Sequence, residues 1–207
     1  MKLWLSSTLI LASCVSGSDA LTSTDQAIST KHACPANVPA ALAPAADQDL
    51  AFALDASGTQ NYACQATATG YAWTLVAPDA LLYRTEHGRC HDRDPVVHHF
   101  AGPTWQSLDD GSTVVGVKAA GATVDATAIP WLLLTATSHG APTDGEDEGL
   151  MTPITAIQRL STSAGLAPAT GCDMAHVGAT ADVPYTARYF FYRTETHHPE
   201  HNVRCGG

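Results

Sequence analysis

Positive charge is scarce in this chain. Its 207 residues carry 10 Lys plus Arg against 20 Asp plus Glu, for a formal net charge of −10. A nucleic-acid partner is excluded, because it calls for clustered cations that displace counterions from phosphate. Charge-driven adhesion to anionic lipid is excluded on the same ground. Charged residues of either sign make up 14% of the chain and apolar ones 45%, a balance that suits a folded core under a lightly charged surface. Other absences narrow the reading further. No apolar run reaches the roughly 20 residues that a membrane-spanning helix needs. No long stretch has helical periodicity. There is no G-x-G-x-x-G between a strand and a helix, no Gly-x-Ser-x-Gly elbow and no C-x₂-C pair. Dinucleotide binding, α/β-hydrolase chemistry and a zinc-finger site therefore have no anchor.

What is present begins at the N-terminus. Lys2 supplies a positive charge, residues 3–12 are an apolar run, and Leu11-Ala12-Ser13-Cys14 reads as a lipobox. Charge, short apolar core and small residues in that order mark an export signal. The expectation is a lipoprotein signal over residues 1–14, with Cys14 lipidated and anchoring the chain to a membrane. An ordinary secretory signal cut after Ser18-Asp19-Ala20 is the alternative. Val15, where inner-membrane lipoproteins carry Asp, points to the outer membrane or cell surface. Residues 15–33, rich in Ser, Thr, Asp and Ala, read as a flexible tether. A β domain follows over residues 34–193, and residues 194–207 read as a solvated His-rich tail.

Six cysteines are present, and processing claims Cys14. Exported cysteines usually pair, but the remaining odd number cannot all do so. The expectation is two disulfides and one odd thiol, which permits a disulfide-linked dimer.

Strand signals dominate from Leu50 onward. Leu50, Phe52 and Leu54 alternate with Ala51, Ala53 and Asp55 up to a turn expected at Ser57-Gly58; Gln60, Tyr62 and Cys64 then share one face. Residues 72–77 form an apolar strand expected to stop at Pro78-Asp79, with a separate short run over 81–83. Further strands are expected at 96–100, 113–117, 129–137, 154–160 and 185–192, with residues 137–151 as a long acidic exposed loop. Segments of this length divided by turn residues predict an all-β, single-domain antiparallel sandwich or barrel with long loops.

Several strings in register carry a resemblance. They include Gly58-Thr59-Gln60-Asn61-Tyr62-Ala63-Cys64, His99-Phe100-Ala101-Gly102-Pro103-Thr104-Trp105, Asp110-Gly111-Ser112 and Ile129-Pro130-Trp131-Leu132-Leu133-Leu134. Ser138-His139-Gly140, residues 167–173 and residues 185–192 extend the set. Together they resemble an exported domain-of-unknown-function family of bacteria and filamentous fungi, whose fungal members are sometimes mislabelled malate dehydrogenase. The resemblance implies a compact exported β-rich domain with no established reaction, and nothing in these residues supports a dehydrogenase. It also implies a Cys64–Cys172 disulfide, since these are the family's most regular cysteines. Cys90 and Cys205 lie in segments particular to this chain and are expected to pair with each other, leaving Cys34 odd.

Ten histidines equal the Lys plus Arg count and fall in groups. Imidazole is a common transition-metal ligand, so copper or zinc held by His99, His139 and His176 is one candidate chemistry. Adjacent strand residues face opposite ways, which admits His99 but not His98 to an interior site. The competing reading gives these histidines a loop-holding, hydrogen-bonding role. Among the aromatics, Trp105 beside Gly102-Pro103 is the candidate exposed platform for a ligand. The leading expectation is an extracytoplasmic, lipid-anchored binding or interaction module for a glycan or protein; the balance leans away from an enzyme, and a metal-dependent one stays open within the alternative. The alternative is a copper- or zinc-binding protein.

Overall fold

The computed structural model describes residues 34–84, 94–194 and the backbone of 203–204. Its strands are β1 (Gln48–Thr67), β2 (Gly70–Arg84), β3 (Val97–Phe100), β4 (Thr104–Ser107), β5 (Thr113–Ala122), β6 (Trp131–Gly140), β7 (Ile154–Ala164), β8 (Thr180–Thr194) and β9 (Val203–Arg204). The sheet order is β2-β3-β4-β5-β6-β7-β8-β1-β9, and β1 also pairs with β2, so the first eight strands close into an antiparallel barrel. Of the two architectures that alternation allowed, closure selects the barrel, which leaves no edge strand exposed along its paired wall.

Two expected turns do not occur. Ser57-Gly58 lies inside β1 and Pro78-Asp79 inside β2, with Gly58 opposite Ala80 and Gln60 opposite Pro78. Gly58 is there for close approach and not for turning: a Cβ would collide with the Asp79 carbonyl and with Ala80. Pro78 is tolerated because β3 reaches β2 only at Ala80, Leu81 and Leu82, so no ladder partner on that side needs its missing N–H. Residues 81–83 thus continue β2 and are not a separate strand. β8 starts at Thr180, earlier than its polar first residues and Pro184 suggest. Residues 203–204 of the expected solvated tail pair instead with Asp49 and Leu50 of β1.

Alternation sorts the strand residues into two clusters. Leu54, Leu82, Val97, Val114, Ile157 and Phe191 pack inside the barrel. Leu50, Ala53, Leu160, Phe190 and Tyr192 face outward and would be wet but for the segment before β1, whose Leu42 sits fully buried on them. Gln158 ties that cover down: its Nε2 donates to the Leu42 carbonyl, while its Oε1 accepts from the Tyr192 hydroxyl.

The loop expected over residues 137–151 begins only after β6 ends at Gly140, and its acidic part is exposed. Its return is clamped by the Asp110-Gly111-Ser112 turn. Asp110 accepts from Ser112 N at 2.7 Å and from Leu150 N at 2.8 Å, and Ser112 Oγ accepts from Met151 N at 3.0 Å. Burial works against the Asp110 carboxylate, but these donors outweigh it and hold its pKa below the ordinary carboxylate value.

Candidate functional site

The short hairpin β3–β4 decides where the barrel is open. β4 pairs with β5 only at Thr113, Val114 and Val115, and β3 pairs with β2 only at Ala80 to Leu82. Beyond the Ala101–Pro103 turn, β2 and β5 run on with no strand between them. A cavity of about 880 Å³ lies behind this window, bordered by Leu75 to Pro78 on one side and Val115 to Lys118 on the other. Gly116, on β5, contributes space: a Cβ there would meet Trp105 Cζ3 at 3.3 Å and Leu134 Cβ at 3.4 Å. Exposed apolar side chains ring the mouth, including Leu75, Val76, Val117 and Leu166.

The floor is aromatic. The His99 ring stacks on Trp105 at 4.3 Å and meets the edge of Tyr189 at 5.4 Å. His99 is 2% exposed. Burial lowers its pKa to about 3, with the Thr104 carbonyl opposing and the charge of Arg159 assisting. The ring is therefore neutral at pH 7; its Nδ1–H donates to Thr104 O at 2.9 Å, leaving Nε2 as an acceptor. Burial likewise raises the Tyr62 and Tyr189 phenols, which stay protonated donors. Tyr62 donates to Gly165 O at 2.7 Å, and the Tyr185 and Tyr189 hydroxyls lie 3.2 Å apart.

Arg159 lines the cavity wall from β7, in the same strand phase as the core residue Ile157. Its Nε and Nη2 donate to the Pro130 carbonyl at 3.3 and 2.9 Å. Among the described residues the ion pairs are Arg84–Asp109, His98–Asp79, His176–Asp173 and Arg188–Asp55, and Arg159 takes part in none. Gln60 Nε2 and Trp105 Nε1 are buried without a hydrogen-bond partner.

A loop over residues 165–179 crosses the barrel end beside the cavity. The disulfide Cys64–Cys172 ties it to β1. Backbone bonds from Gly178 N to Cys64 O and from Cys64 N to Ala179 O secure its return, and Trp73 Nε1 donates to Thr170 O. Ser161, Ala164 and Gly165 have positive φ where β7 bends into this loop, an irregularity of the sort that re-aims a strand at a barrel rim.

The DUF3455 family, described as a protein of unknown function, matches residues 44–193. The chain belongs to this family. No curated protein and no solved structure matches it. The DUF3455 match spans the barrel from the residues just before β1 to the last turn of β8, so window, floor and Arg159 all lie within the family's domain.

Within this DUF3455 domain the candidate metal ligands do not meet. His99 is in the floor. His139 is exposed near the end of β6, with Nε2 2.7 Å from Ile154 O. His176 lies in the loop at the other end of the barrel, 2.7 Å from Asp173 Oδ1. No group of three or more His, Cys, Asp or Glu able to hold a metal forms among the described residues. Each imidazole is bonded locally to a carbonyl or carboxylate, as the loop-holding reading has it.

Trp105 requires a second correction. It is 1% exposed and is no surface platform. Gly102-Pro103 marks the turn, but Trp105 lies opposite both His99 and Val114, a register that turns it inward. Cys34 is also corrected: it is disulfide-bonded and is not the odd cysteine. Cys14, the tether, the Cys90–Cys205 pairing and the tail histidines fall outside the described residues. Arg159 and Gln60 were not singled out as site residues in the sequence. A cation in the inward phase of an apolar strand, in a chain with so few, was the available signal.

Proposed function

We propose that this chain is a lipid-anchored extracytoplasmic barrel that binds one small, mainly apolar molecule. The observation that carries the reading is the cavity of about 880 Å³ opening through the window above the β3–β4 turn. Pockets for small molecules run to roughly 300–1,000 Å³ and are mostly apolar with a few placed polar groups. An eight-stranded barrel is about wide enough to hold one such ligand. The aliphatic mouth favours an apolar molecule over a glycan, which would call for exposed aromatic platforms and paired polar groups. Binding is favoured over catalysis because the imidazole in the floor is bonded to a backbone carbonyl and not to a nucleophile.

The disulfide Cys64–Cys172 fits an oxidising compartment. Lipid anchoring at Cys14 rests on the lipobox string, with the outer membrane or cell surface as the site and secretion as the alternative. The test of binding is a titration with N-phenyl-1-naphthylamine, a neutral dye that brightens on leaving water. Saturable brightening near one dye per chain is expected. Gly116→Val, which fills part of the cavity, should weaken it about tenfold. Absence of saturation with this dye and with larger and smaller apolar dyes overturns the reading.

A further inference from the structure

We infer that the apolar ligand carries a single carboxylate head, held by Arg159; this rests on the cavity reading above. The guanidinium is half-buried in an apolar wall, bonded to the Pro130 carbonyl and set beside the Tyr189 hydroxyl, with no acidic partner among the described residues. Acidic residues outnumber basic ones two to one in this chain, yet none of the described ones lines the cavity. A cation left without a counter-charge in such surroundings is costly, and a carboxylate offsets that cost through paired, charge-assisted hydrogen bonds.

The remaining polar groups ask for the same chemistry. Gln60 Nε2 and Trp105 Nε1 are buried donors lacking acceptors. The Tyr189 hydroxyl adds a polar hydrogen to the same cavity, while Tyr62 keeps its own on the Gly165 carbonyl. A ligand rich in acceptors satisfies this set, whereas an ammonium, which has donors alone, does not. The charge count sets the valence. Of the two Lys or Arg side chains that line the cavity among the described residues, Arg159 is half-buried and Lys118 is exposed at the mouth. One interior positive charge balances a carboxylate and leaves half of a phosphate dianion uncompensated. The aliphatic rim of Leu75, Val76, Val117 and Leu166 then receives a hydrocarbon body. The class is an aliphatic or aromatic monocarboxylic acid.

The experiment is displacement of N-phenyl-1-naphthylamine from the full chain by decanoate, methyl decanoate, decylammonium and decyl phosphate, each below its micellar concentration. Decanoate is expected to displace the dye at a concentration at least about tenfold lower than any of the others. In Arg159→Met the ratio between ester and carboxylate should fall below about threefold, and Arg159→Lys should keep most of it. Because the wild-type ratio is measured without any variant, a misfolded Arg159→Met does not blunt the test. Dye that binds but is displaced equally by ester and carboxylate overturns the carboxylate while leaving the cavity reading intact. Preference for the ammonium or the phosphate overturns it too, and an unchanged ratio in folded Arg159→Met overturns the role of Arg159. Failure of the dye to bind overturns the cavity reading itself.

Discussion

Below the turn of the β3–β4 hairpin the barrel wall is complete and its interior solid: Phe52 stacks on Phe191 at 4.6 Å, and Leu82, Val97, Val114, Ile154 and Ile157 fill the remaining space. Above that turn the wall lacks β3 and β4, and the same inward phase carries Gly116, Gln60, Tyr62 and Arg159 around an open volume. The difference comes from strand length and side-chain size, not from a change of fold. Two strands of four residues beside neighbours of ten and fifteen residues create the window. Packing stabilises one half, and the other half gives up packing to keep space.

That contrast can be broken most forcefully from the packed side. Phe191→Ala should cost about 3–5 kcal/mol, because the hole it leaves is walled by β-strands that cannot collapse into it. Urea unfolding followed by tryptophan fluorescence measures it; a loss below about 1 kcal/mol would mean the lower half is not rigidly packed.

Acid probes the boundary between the halves, where His99 sits. The folded ring resists protonation until a pH of about 3, whereas the unfolded chain takes up that proton near 6.5. The stabilising difference is fully present above pH 6.5. It falls by about 1.4 kcal/mol per pH unit between there and 3. Unfolding midpoints at pH 7 and 4.5, compared with those of His99→Gln, should show this slope in the parent and lose its share in the variant. Equal slopes would mean that the ring is not buried neutral.

The mildest perturbation belongs to the open side. Leu75 is 49% exposed at the mouth. Leu75→Ala should change stability by no more than about 0.5 kcal/mol, while dye affinity drops about two- to fivefold. A stability loss like that of Phe191→Ala would erase the distinction between the halves.

Much of this fold was legible from period-two alternation. The phase of Gln60, Tyr62 and Cys64, the inward turn of His99 against His98, and strands near β3, β5, β6 and β7 all follow from residue order. The long hairpin β1–β2 did not, because Gly58 and Pro78 carry strong local turn signals that tertiary pairing overrides. Trp105 was misplaced for a related reason: a Gly-Pro turn implies exposure nearby, but only the register with His99 and Val114 determines which way the next strand faces. The cavity itself was illegible. It depends on the relative lengths of neighbouring strands, a property of pairing that no local pattern encodes. Arg159 lay in plain view inside an apolar run, yet its meaning depends on its having no carboxylate partner among the described residues, and that is visible only in three dimensions.

The disulfide between Cys64 and Cys172 bears on how tightly such a barrel can hold anything. Leu166 and Ala167, which border the cavity, belong to the loop that this bond fastens. A loop free to wander would have to be stilled each time a molecule entered, and every residue stilled would subtract from the net affinity. Here the restraint is imposed once, when the two sulfurs join, before any guest arrives. Reduction would therefore weaken binding without removing a single contact atom, through the entropy of a wall that must be ordered afresh at each encounter.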